Sequence, residues 1–496
     1  MSEVAAEDLA NMINLSYKTC AFPNNLKHAI IRTIYKNKGN SNGPQYYRPI
    51  SVLSVISKVF ERSATDQIMN YLEENDKLFE GQRAYRRKHS TTSCLVEITD
   101  YVYNQLEDKN IVGLVSTDLS KAFDTLSHSQ LLTKLQQLGF GGTSISWIRS
   151  YLTARTQQVR MNDVLSGRCE VESGVPQGSI LGPVLFIAFT TDFSKNFQDC
   201  KISAYADDTQ LLVVGKTVQE VKNKVEETLS RAQTWFSENS LKINPTKSEV
   251  MIFGPKNQNL EQVNITVYED GVAKTIARTA KMKILGVVID NKLTWEWHVK
   301  KIRRLTHNTI SNLARTTAVL PLTSRRLLYD ALVTPHLNYC DIVWDGISKK
   351  WEKEIQKTGN FAAKVLLGEK KGSSSTAALL RLNMMPLCEK RKVHMGVFVH
   401  KILNQNGPKA ITSRYGCLLE RDHRYETRTV ARGDLKTLTH RTARYDASTL
   451  QRAVRCWNSI PFNIRQIDTT SFKRTYQKFL LDKFQMDNAC CQRACQ

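Results

Sequence analysis

The sequence predicts an α+β fold in which helices pack on one face of a sheet. Short apolar runs rich in β-branched residues alternate with longer segments of helical spacing, in the order strand, helix, hairpin, helix, hairpin, helix, strand. No internal repeat or low-complexity region interrupts this order. At 496 residues the chain is too long for one core, because single domains usually stop growing near ~250–300 residues. Two or three subdomains are therefore expected.

The first predicted elements are a helix, a strand and a second helix. Residues 51–75 carry apolar side chains at helical spacing. Residues 111–119, IVGLVSTDL, form a short β-branched run that predicts a buried strand. The helix that follows has Ser127 in the position of an N-cap and Gly139 at its end.

The next elements are hairpins, helices and strands. QQVRMN and RCEVES flank the turn-rich DVLSG, which predicts a hairpin. SILGPVLFIAFTTDF predicts a buried helix whose first turns are perturbed by Gly182 and Pro183. Residues 217–240 predict an amphipathic helix that starts with a capping box of Thr217 and Glu220. SEVMIFG and KILGVVIDN predict two strands, and the chain is mostly helical and basic after about residue 293.

The charge of the chain indicates a polyanionic partner. Lys and Arg number 70 against 47 Asp and Glu, a formal net charge of +23, and the excess recurs along the whole length. Nucleic acid is the commonest such partner. A membrane surface is the alternative, but no basic amphipathic anchor stands out. No apolar run approaches the ~20 residues of a membrane helix, and the acidic start MSEVAAEDLA lacks the apolar core of a signal peptide.

Cysteine usage favours an intracellular protein with reduced thiols. The chain has 11 cysteines, an odd number, and no CxxC pair. These features argue against a disulfide framework and against a zinc ribbon or knuckle.

Two adjacent aspartates, Asp207 and Asp208, interrupt the apolar stretch KISAYADDTQLLVVG. Taken alone, they favour a hairpin turn, because Asp side chains bond nearby backbone amides. The alternative is a metal site, since two close carboxylates repel unless a cation such as Mg²⁺ neutralises them. Asp118 ends the strand IVGLVST and could meet the pair across one sheet. Three carboxylates could then hold the two divalent ions that phosphoryl transfer uses.

A set of motifs resembles the reverse transcriptases of non-LTR (LINE-type) retrotransposons, especially the jockey-like branch. STDLSKAFD, SGVPQGSILGP, AYADD and LKINPTKSEVMIFG resemble the palm motifs of that family, in the same order. YYRPISVLSVISKVFE and QRAYRRKHSTT resemble its two finger motifs. KILGVVIDNKLTWEWHV resembles the strand and loop that lead into the thumb, and VRCWNSIPFNIR resembles the C-terminal segment. The resemblance covers nearly the whole chain.

The resemblance implies a right-hand polymerase with fingers, a ferredoxin-like palm sheet carrying the catalytic aspartates, and a mostly helical thumb and C-terminal region. The expected divisions are fingers with an N-terminal extension at 1–110, palm at 111–292, thumb at 293–370 and a basic C-terminal region at 371–496. The implied activity is RNA-directed DNA polymerisation in retrotransposition, in which a primer 3′-hydroxyl is extended with dNTPs on an RNA template.

The same resemblance assigns roles to single residues. Asp118 and Asp207 would bridge two Mg²⁺ ions, for which Mn²⁺ is a substitute, and Asp208 would support them. Lys247 matches a lysine that can donate a proton to departing pyrophosphate, although a surface lysine is the alternative. Phe123 resembles a steric gate that excludes a 2′-hydroxyl, although a core phenylalanine is the alternative.

The turn GVPQG is expected to face the incoming nucleotide. It comprises Gly174, Pro176, Gln177 and Gly178. Glycines let the backbone approach a ligand closely, and Gln177 resembles the side chain that contacts the nucleotide. A tight turn before a helix explains the same residues structurally.

Two finger arginines, Arg48 and Arg86, are candidates for contact with the triphosphate, because the guanidinium fork suits phosphate. A solvated arginine is the alternative for each. The family's Gly-Phe pair before the second arginine is replaced here by Ala84 and Tyr85. A positive φ at Ala84 would be costly, which puts the geometry of this finger loop in question.

The C-terminal segment 421–444 holds seven basic residues in a stretch that has no apparent apolar face. It is expected to contact nucleic-acid phosphates rather than to be only a solvated loop. The basic residues are Arg421, Arg424, Arg428, Arg432, Lys436, Arg441 and Arg444.

The expected partners are an RNA template, a DNA primer or nicked target DNA, and dNTPs, with no membrane. The endonuclease that relatives carry upstream is absent from this chain, and the expected location is intracellular: the nucleus during target integration and the cytoplasm otherwise. Two other functions stay open. An RNA-dependent RNA polymerase shares the palm geometry, but Phe123 argues against it. A non-catalytic nucleic-acid-binding remnant of a decayed or repurposed retroelement is disfavoured by the three intact aspartates.

Overall fold

The computed structural model describes residues 2–37, 39–119, 121–244, 247–255, 265–269, 272–370, 372–419 and 432–488. None of the helices in these ranges combines the length and apolarity needed to cross a membrane.

The described ranges contain strands mainly in the first 290 residues and helices throughout. The strands are β1 (His28–Tyr35), β2 (Tyr47–Val52), β3 (Ile111–Thr117), β4 (Arg155–Met161), β5 (Val164–Leu165), β6 (Cys169–Val171), β7 (Lys201–Tyr205), β8 (Asp208–Gly215), β9 (Glu249–Phe253), β10 (Ile265–Glu269), β11 (Val272–Arg278), β12 (Lys281–Ile284) and β13 (Val287–Asp290).

The helices include long ones in the fingers, the palm and the C-terminal half. They are α1 (Ser2–Lys18), α2 (Val55–Glu74), α3 (Thr91–Glu107), α4 (His128–Gln137), α5 (Gly142–Leu152), α6 (Gly182–Phe189), α7 (Val218–Glu238), α8 (Glu296–Ala314), α9 (Leu322–Leu332), α10 (Thr334–Asn338), α11 (Asp341–Trp344), α12 (Lys349–Leu367), α13 (Ser375–Arg381), α14 (Leu387–Leu403), α15 (Lys409–Gly416), α16 (Thr449–Ser459), α17 (Phe462–Arg465) and α18 (Thr469–Asp487).

Two main sheets organise the first 290 residues. The palm sheet has the strand order β10-β11-β9-β3-β8-β7, with β3 antiparallel to both β8 and β9. The finger sheet has the order β2-β1-β4-β5, with β6 on β4. Because β4 pairs in parallel with β1, a strand inside the predicted palm division 111–292 belongs to the finger sheet. The predicted boundary at residue 110 therefore does not separate the two sheets.

Both faces of the palm sheet are buried, so the prediction of helices on one face is wrong. Successive residues of a strand point to opposite faces. Ile111 and Val115 belong to a core shared with α7, whereas Val112 and Leu114 belong to a core shared with α3 and the C-terminal helices. The reason was present in the sequence, because a strand buried on both faces is a continuous apolar run rather than an alternating one.

The C-terminal helices share their core with the palm. The side chains of Trp457 and Phe472 belong to the same buried cluster as Val112. At the junction, the buried carboxylate of Asp100 on α3 accepts a hydrogen bond from the backbone N–H of Thr449, at 2.9 Å. Burial raises the pKa of Asp100 to about 6. The C-terminal helices are thus packed onto the palm sheet and α3.

Several predicted elements differ in their bounds. The helix expected at 51–75 begins at Val55, because its first two residues close β2. The buried helix expected over SILGPVLFIAFTTDF is confined to α6, and a 3₁₀ turn follows at Thr191–Asn196. KILGVVIDN forms the hairpin β12–β13 instead of one strand, since Leu285 and Gly286 both have positive φ (44° and 87°). Such a pair is the signature of a tight hairpin turn.

The helix starts are closer to expectation. The hydroxyl of Ser127 caps α4 by accepting from the Gln130 N–H at 3.4 Å. The hydroxyl of Thr217 caps α7 by accepting from the Glu220 N–H at 3.1 Å. The Glu220 carboxylate accepts from the Lys216 N–H at 2.8 Å, which adds a second bond at the same helix start.

The basic C-terminal segment does contribute to the core, contrary to the prediction that it has no apolar face. Leu435 is fully buried, and its N–H and C=O are bonded by the side chain of Asn458 at 2.8 and 2.9 Å. Two leucines, Leu435 and Leu438, stand among polar and charged residues without helical periodicity, so the apolar contact was not visible in the sequence. Arg421, Arg424 and Arg428 lie outside the described residues.

Candidate active site

The register of β3 against β8 brings the three aspartates together. Thr117 pairs with Thr209, so Asp118, one residue beyond β3, lies beside Asp208, the first residue of β8. Asp207 occupies the two-residue turn between β7 and β8. The backbone therefore brings Asp118, at the end of a strand, together with Asp207 and Asp208, at the tip of a hairpin.

The turn that carries Asp207 has a strained backbone. Ala206 precedes Asp207 and has φ = 58°, a left-handed conformation that costs an L-residue about 1–3 kcal/mol. A positive φ at the first of two loop residues suits the twist of a hairpin. Strain of this kind persists only where the surroundings hold it, so the contacts of Ala206 matter for the site.

The buried side chain of Gln82 holds this turn. Its Oε1 accepts hydrogen bonds from the backbone N–H groups of Ala206, at 3.1 Å, and of Ala84, at 3.0 Å. The backbone of the same finger loop pairs with β7, because Ala204 donates to Gly81 (2.9 Å) and accepts from Arg83 (2.8 Å). The finger loop therefore acts as an extra strand beside the hairpin that carries the aspartates.

The three carboxylates are electrostatically coupled. Burial and the Asp118 carboxylate raise the pKa of Asp207, whereas the charge of Arg48 lowers it. Burial, Asp207 and Asp118 raise the pKa of Asp208 to about 6, and Lys283 opposes them. The fold therefore holds negative charges together at a cost, which a bound cation would offset.

Lys247 lies at the same centre. Its Nζ is 3.1 Å from Asp118 Oδ2, and the backbone of the preceding turn is tied to Asp118, whose C=O accepts from the Asn244 N–H at 2.7 Å. The sequence placed Lys247 at the site as a candidate proton donor. The structure brings it there and pairs it with a carboxylate.

The donor set fits a magnesium site by its chemistry. Carboxylate oxygens are the ligands that Mg²⁺ prefers, and Asp118 lies close enough to raise the pKa of both Asp207 and Asp208. Over the described residues, no three Asp, Glu, His or Cys side chains are already gathered into a group that could hold an ion. The residues that would hold a metal are thus neighbours, and Asp118 is paired with Lys247.

The GVPQG turn packs directly on the AFD turn that follows Asp118. The Val175 N–H donates to the C=O of Phe123 at 2.7 Å. Gly174 has φ = 80°, and a Cβ there would lie 2.6 Å from the C=O oxygens of Phe123 and Asp124. A side chain at residue 174 would separate the two turns, so this glycine is required by close approach as well as by φ.

Asp124, whose role the sequence left open, orients Gln177. The Gln177 Nε2 donates to Asp124 Oδ1 at 2.8 Å. Burial raises the pKa of Asp124, and the bond from Gln177 and the charge of Lys121 oppose this shift. The bond fixes the Gln177 amide beside the AFD turn, at the edge of the site where the resemblance placed it.

Gly178 joins the palm to the fingers. The Ser51 N–H on β2 donates to the Gln177 C=O at 2.7 Å. Gly178 has φ = 126°, and a Cβ there would lie 2.5 Å from the Ser51 C=O oxygen. The contact between β2 and the GVPQG turn therefore depends on glycine at this position.

Phe123 has features of both interpretations. Its ring centroid lies 4.8 Å from that of Phe186 on α6, at an interplanar angle of 31°. The side chain is only partly buried and packs against the margin of the core. A ring anchored on α6 and still partly open to solvent is suited to act as a wall beneath a bound sugar, but this role stays a prediction.

The two finger arginines differ. Arg48 is exposed on β2, and its charge reaches Asp207. Arg86 points into its own loop, where Nη1 donates to the C=O groups of Phe79 and Gln82, both at 3.3 Å, and Nε lies 3.8 Å from Glu73. This geometry assigns Arg86 to holding the loop and does not favour the predicted contact with a triphosphate.

The finger loop accommodates Ala84 and Tyr85 in place of the family's Gly-Phe pair because the positive φ falls on Tyr85. Ala84 is fully buried and lacks a positive φ. The strained residue is Tyr85, with φ = 58°, and its side chain is half exposed. Burial raises the pKa of Tyr85, and Asp207 adds to this shift. The tyrosine therefore lies near the catalytic hairpin.

Sequence reasoning missed three residues of the site. Besides Gln82 and Lys283, the buried Glu61 on α2 accepts from the backbone N–H groups of Ile180 (2.6 Å) and Leu181 (3.3 Å). A charged residue on the apolar face of a predicted helix was the available signal for Glu61. Lys283 alternates with buried residues on β12, so its exposed face could have been predicted once that strand was recognised.

The described part of the basic C-terminal set does not act as one unit. Arg441 binds Glu107 at the end of α3, and Arg444 Nη1 donates to the Gly254 C=O at 3.1 Å. Arg432 and Lys436 flank the buried Leu435. Two of the four described residues thus bind other segments of the fold, α3 and the end of β9, which supports a structural role for them. Phosphate contact by the set stays a prediction.

Comparison with known proteins agrees with the motifs. The family described as reverse transcriptase (RNA-dependent DNA polymerase) matches residues 34–289. The chain is 29% identical over 368 residues to the "Probable RNA-directed DNA polymerase from transposon BS" of Drosophila melanogaster, covering 72% of this chain and 40% of that relative. It is 26% identical over 349 residues to the "RNA-directed DNA polymerase from mobile element jockey" of the same species, covering 68% and 37%.

The chain therefore spans about two fifths of the length of the curated relatives it matches. Among solved structures, it is similar to the telomerase of Candida tropicalis in complex with a fragment of telomeric RNA. The TM-score is 0.40 at 13% identity, over 78% of this chain and 65% of that one.

Proposed function

The chain belongs to the reverse transcriptase family, and from this premise we propose that it is an RNA-directed DNA polymerase acting in retrotransposition. It would extend a primer 3′-hydroxyl with dNTPs by two-metal phosphoryl transfer. The observation that carries the proposal is the meeting of Asp118 with Asp207 and Asp208 at the ends of β3 and β8, where the charge of Asp118 raises the pKa of the other two.

Asp118 and Asp207 would hold two Mg²⁺ ions, with Asp208 in support and Mn²⁺ as a substitute. When bound, such ions supply activation of the attacking oxygen and neutralisation of the leaving group. The contribution of the protein is to fix the positions of the three carboxylates. The β3–β8 ladder fixes two of the carboxylates relative to each other, and Gln82 holds the third through the Ala206–Asp207 turn. A fixed arrangement of charge avoids reorganisation during the reaction.

Lys247 has two roles in this proposal. Paired with Asp118 at 3.1 Å, its ammonium balances one carboxylate. Once that carboxylate is engaged elsewhere, the ammonium becomes available as a proton donor at Nζ to departing pyrophosphate. Its half-exposed position leaves room for the side chain to move between these two partners.

The nucleotide would lie against the paired AFD and GVPQG turns. The Gln177 amide, held by Asp124, would contact the nucleotide, and Gly178 lets the backbone approach. Phe123 would lie beneath the sugar and exclude a ribose 2′-hydroxyl. Arg48, whose charge reaches Asp207, is the finger residue suited to meet the triphosphate.

The remaining partners follow from the charge of the protein. An RNA template and a DNA primer, or nicked target DNA, would be bound by the basic surfaces, since the chain carries a net charge of +23. We also propose intracellular action, in the nucleus during integration and in the cytoplasm otherwise.

Primer extension tests the proposal. Asp118→Asn and Asp207→Asn should each abolish extension of a DNA primer on an RNA template, while RNA binding stays nearly unchanged, because carboxylates would hold ions and basic residues would hold the backbone. Asp482→Asn, at an exposed site on α18, is the matched control and should extend normally. Wild-type extension in either active-site variant would refute the site.

The same assay separates the other functions. Extension with NTPs but not with dNTPs would indicate an RNA-dependent RNA polymerase. RNA binding by the folded wild-type protein without extension under any metal would indicate a non-catalytic remnant.

A further inference from the structure

Trp297 differs from every other tryptophan in the chain. Its side chain is 48% exposed, whereas the other six tryptophans are at most 9% exposed. Neighbouring Trp295 is fully buried and Trp297 points outward from the first turn of α8. Exposing an indole of this size forgoes the burial that stabilises the others, which is typical of an aromatic side chain that binds a ligand.

Lysine side chains surround the exposed ring. The Nζ atoms of Lys281 and Lys300 lie 4.0 and 5.2 Å from the Trp297 ring centroid. Lys300 also lies 5.4 Å from the centroid of Trp351, as does Lys350. Three elements, β12, α8 and α12, thus gather lysines around the exposed ring of Trp297 and beside the buried ring of Trp351, and we call this region the Trp297 surface (Lys281, Trp297, Lys300 and Lys350).

A purely structural explanation would be that these cation–π contacts hold α8 to α12 and β12. Glu296 pairs with Lys300 at 2.5 Å and supports that role for one lysine. Lys281 and Lys350 are both exposed, and an exposed cation–π contact contributes only about 0.5–1 kcal/mol. A purely structural role would therefore leave the charges of Lys281 and Lys350, and about half of the Trp297 side chain, exposed to solvent without a function.

The location of the surface links it to the active site. The exposed face of β12 carries Lys281 and Lys283 in alternation with buried residues. The charge of Lys283 reaches Asp208. Two residues of a strand span about 6.4–6.8 Å, so Lys281, which contacts the Trp297 ring, extends the positive face away from the carboxylates.

We propose that the Trp297 surface binds single-stranded nucleic acid, with an unpaired base stacked on Trp297 and phosphates bound by Lys281, Lys300 and Lys350. Exposed aromatic rings between lysines are the features that bind unpaired strands, because every base has a face that can stack. A base-paired duplex does not present such faces along its length. The long flexible stem of Lys281 lets its ammonium leave the ring for a neighbouring phosphate. The surface would act on the substrate of the proposed polymerase, but its binding does not depend on catalysis.

Tryptophan fluorescence gives a direct test in the full chain without dNTPs. Iodide should quench mainly Trp297, since it is the one well-exposed indole. A 12-nucleotide oligothymidylate or oligouridylate should protect it from iodide, and a blunt duplex of the same length should protect it much less. The two oligonucleotides distinguish a DNA strand from an RNA strand. Unchanged quenching at saturating concentrations of both oligonucleotides would overturn the proposal.

Binding by variants tests the chemistry. Trp297→Ala should weaken oligonucleotide binding about ten- to hundred-fold, as expected for loss of one stacked base, whereas Trp297→Tyr should lose much less. Lys281→Gln should reduce the log–log salt slope by about 0.7. Phe462→Ala, at a similarly exposed aromatic (46%), is the matched control and should bind normally. Equal losses for the single strand and the duplex would also overturn the proposal.

Two controls keep the interpretation unambiguous. If Trp297→Ala does not fold, oligonucleotide binding by Trp297→Tyr and Lys281→Gln tests the proposal. Both substitutions keep a side chain that can pack where the original one did. Asp207→Asn should lose extension but keep oligonucleotide binding. Phe462→Ala should keep both extension and oligonucleotide binding. The two results separate failure of this proposal from failure of the proposed polymerase activity.

Discussion

Replacing Gln82 with methionine should impair catalysis without changing nucleic-acid binding. Methionine keeps the length of the side chain but removes the oxygen that accepts from the N–H groups of Ala84 and Ala206. A buried N–H left without a partner costs about 1–3 kcal/mol. Ala84 is fully buried and Ala206 only partly, so the two together lose about 2–4 kcal/mol.

Much of this loss should fall on the catalytic hairpin. Ala206 has φ = 58° and its N–H is bound by Gln82, so we expect loss of the bond to relax the turn and to move Asp207. If about 1.4–2.7 kcal/mol of the loss opposes the reactive arrangement, the rate of primer extension falls about 10- to 100-fold. The control Gln136→Met, at an exposed site on α4, should be neutral.

A second substitution tests whether backbone strain at Ala206 causes the loss of activity. Ala206→Gly removes the strain of the left-handed backbone, which is worth about 1 kcal/mol, so adding it to Gln82→Met should restore extension about five-fold. The assay is single-turnover extension with a Mg²⁺ titration, together with oligonucleotide binding and a thermal melt. Normal extension by folded Gln82→Met, or equal losses of binding and extension with no rescue, would refute the role of Gln82 in positioning the turn.

Asp208→Asn should raise the melting temperature at pH 7.5 in EDTA, because the pKa of Asp208 is raised from 3.8 to about 6, so its ionised form destabilises the fold above that pH; a gain that persists at pH 3 would contradict this. Phe123→Val should increase ribonucleotide incorporation relative to dNTPs, and an unchanged sugar preference in an active variant would make Phe123 a core residue only. Gly178→Ala should lower extension and stability together, since its Cβ would lie 2.5 Å from the Ser51 C=O oxygen; a neutral variant would show that β2 can move away. Replacing Arg432 and Lys436 by glutamine should reduce the log–log salt slope of RNA binding by about 1.4 in total, and an unchanged slope would exclude both from phosphate contact.

The acidic centre could be predicted from sequence because it depends on local signals. A strand-end aspartate and a hairpin-tip pair are visible in the chain, and the β3–β8 register follows from antiparallel pairing. The GVPQG turn was equally visible, since Gly174 and Gly178 both hold positive φ. In each case one short segment determines the conformation.

Contacts between distant segments could not be predicted in this way. Nothing in the spacing of Gln82 indicates that its amide reaches Ala206, 124 residues later. The inward turn of Arg86 depends on the carbonyls of its own loop, which no motif specifies. The same limit applied to the C-terminal segment, where the backbone of the buried Leu435 is bonded by Asn458 on α16.

The same packing decides how the basic segment can be tested. Deleting residues 415–496 would remove Trp457 and Phe472 from the core shared with Val112, and would leave Asp100 without its Thr449 partner. Point substitutions at Arg432 and Lys436 avoid this damage to the core.

The core shared by α3, the palm sheet and the C-terminal helices also has a consequence for synthesis on the ribosome. Leu114 on β3 and Phe472 on α18 belong to one buried cluster, yet roughly 360 residues separate them. At about 5–20 residues per second, one face of the palm sheet waits roughly 20–70 seconds for the helices that cover it. During that interval an apolar surface is open to other nascent chains, so the yield of native protein should depend on chaperones and on translation speed. A truncated protein that lacks the final helices would leave that apolar surface permanently exposed.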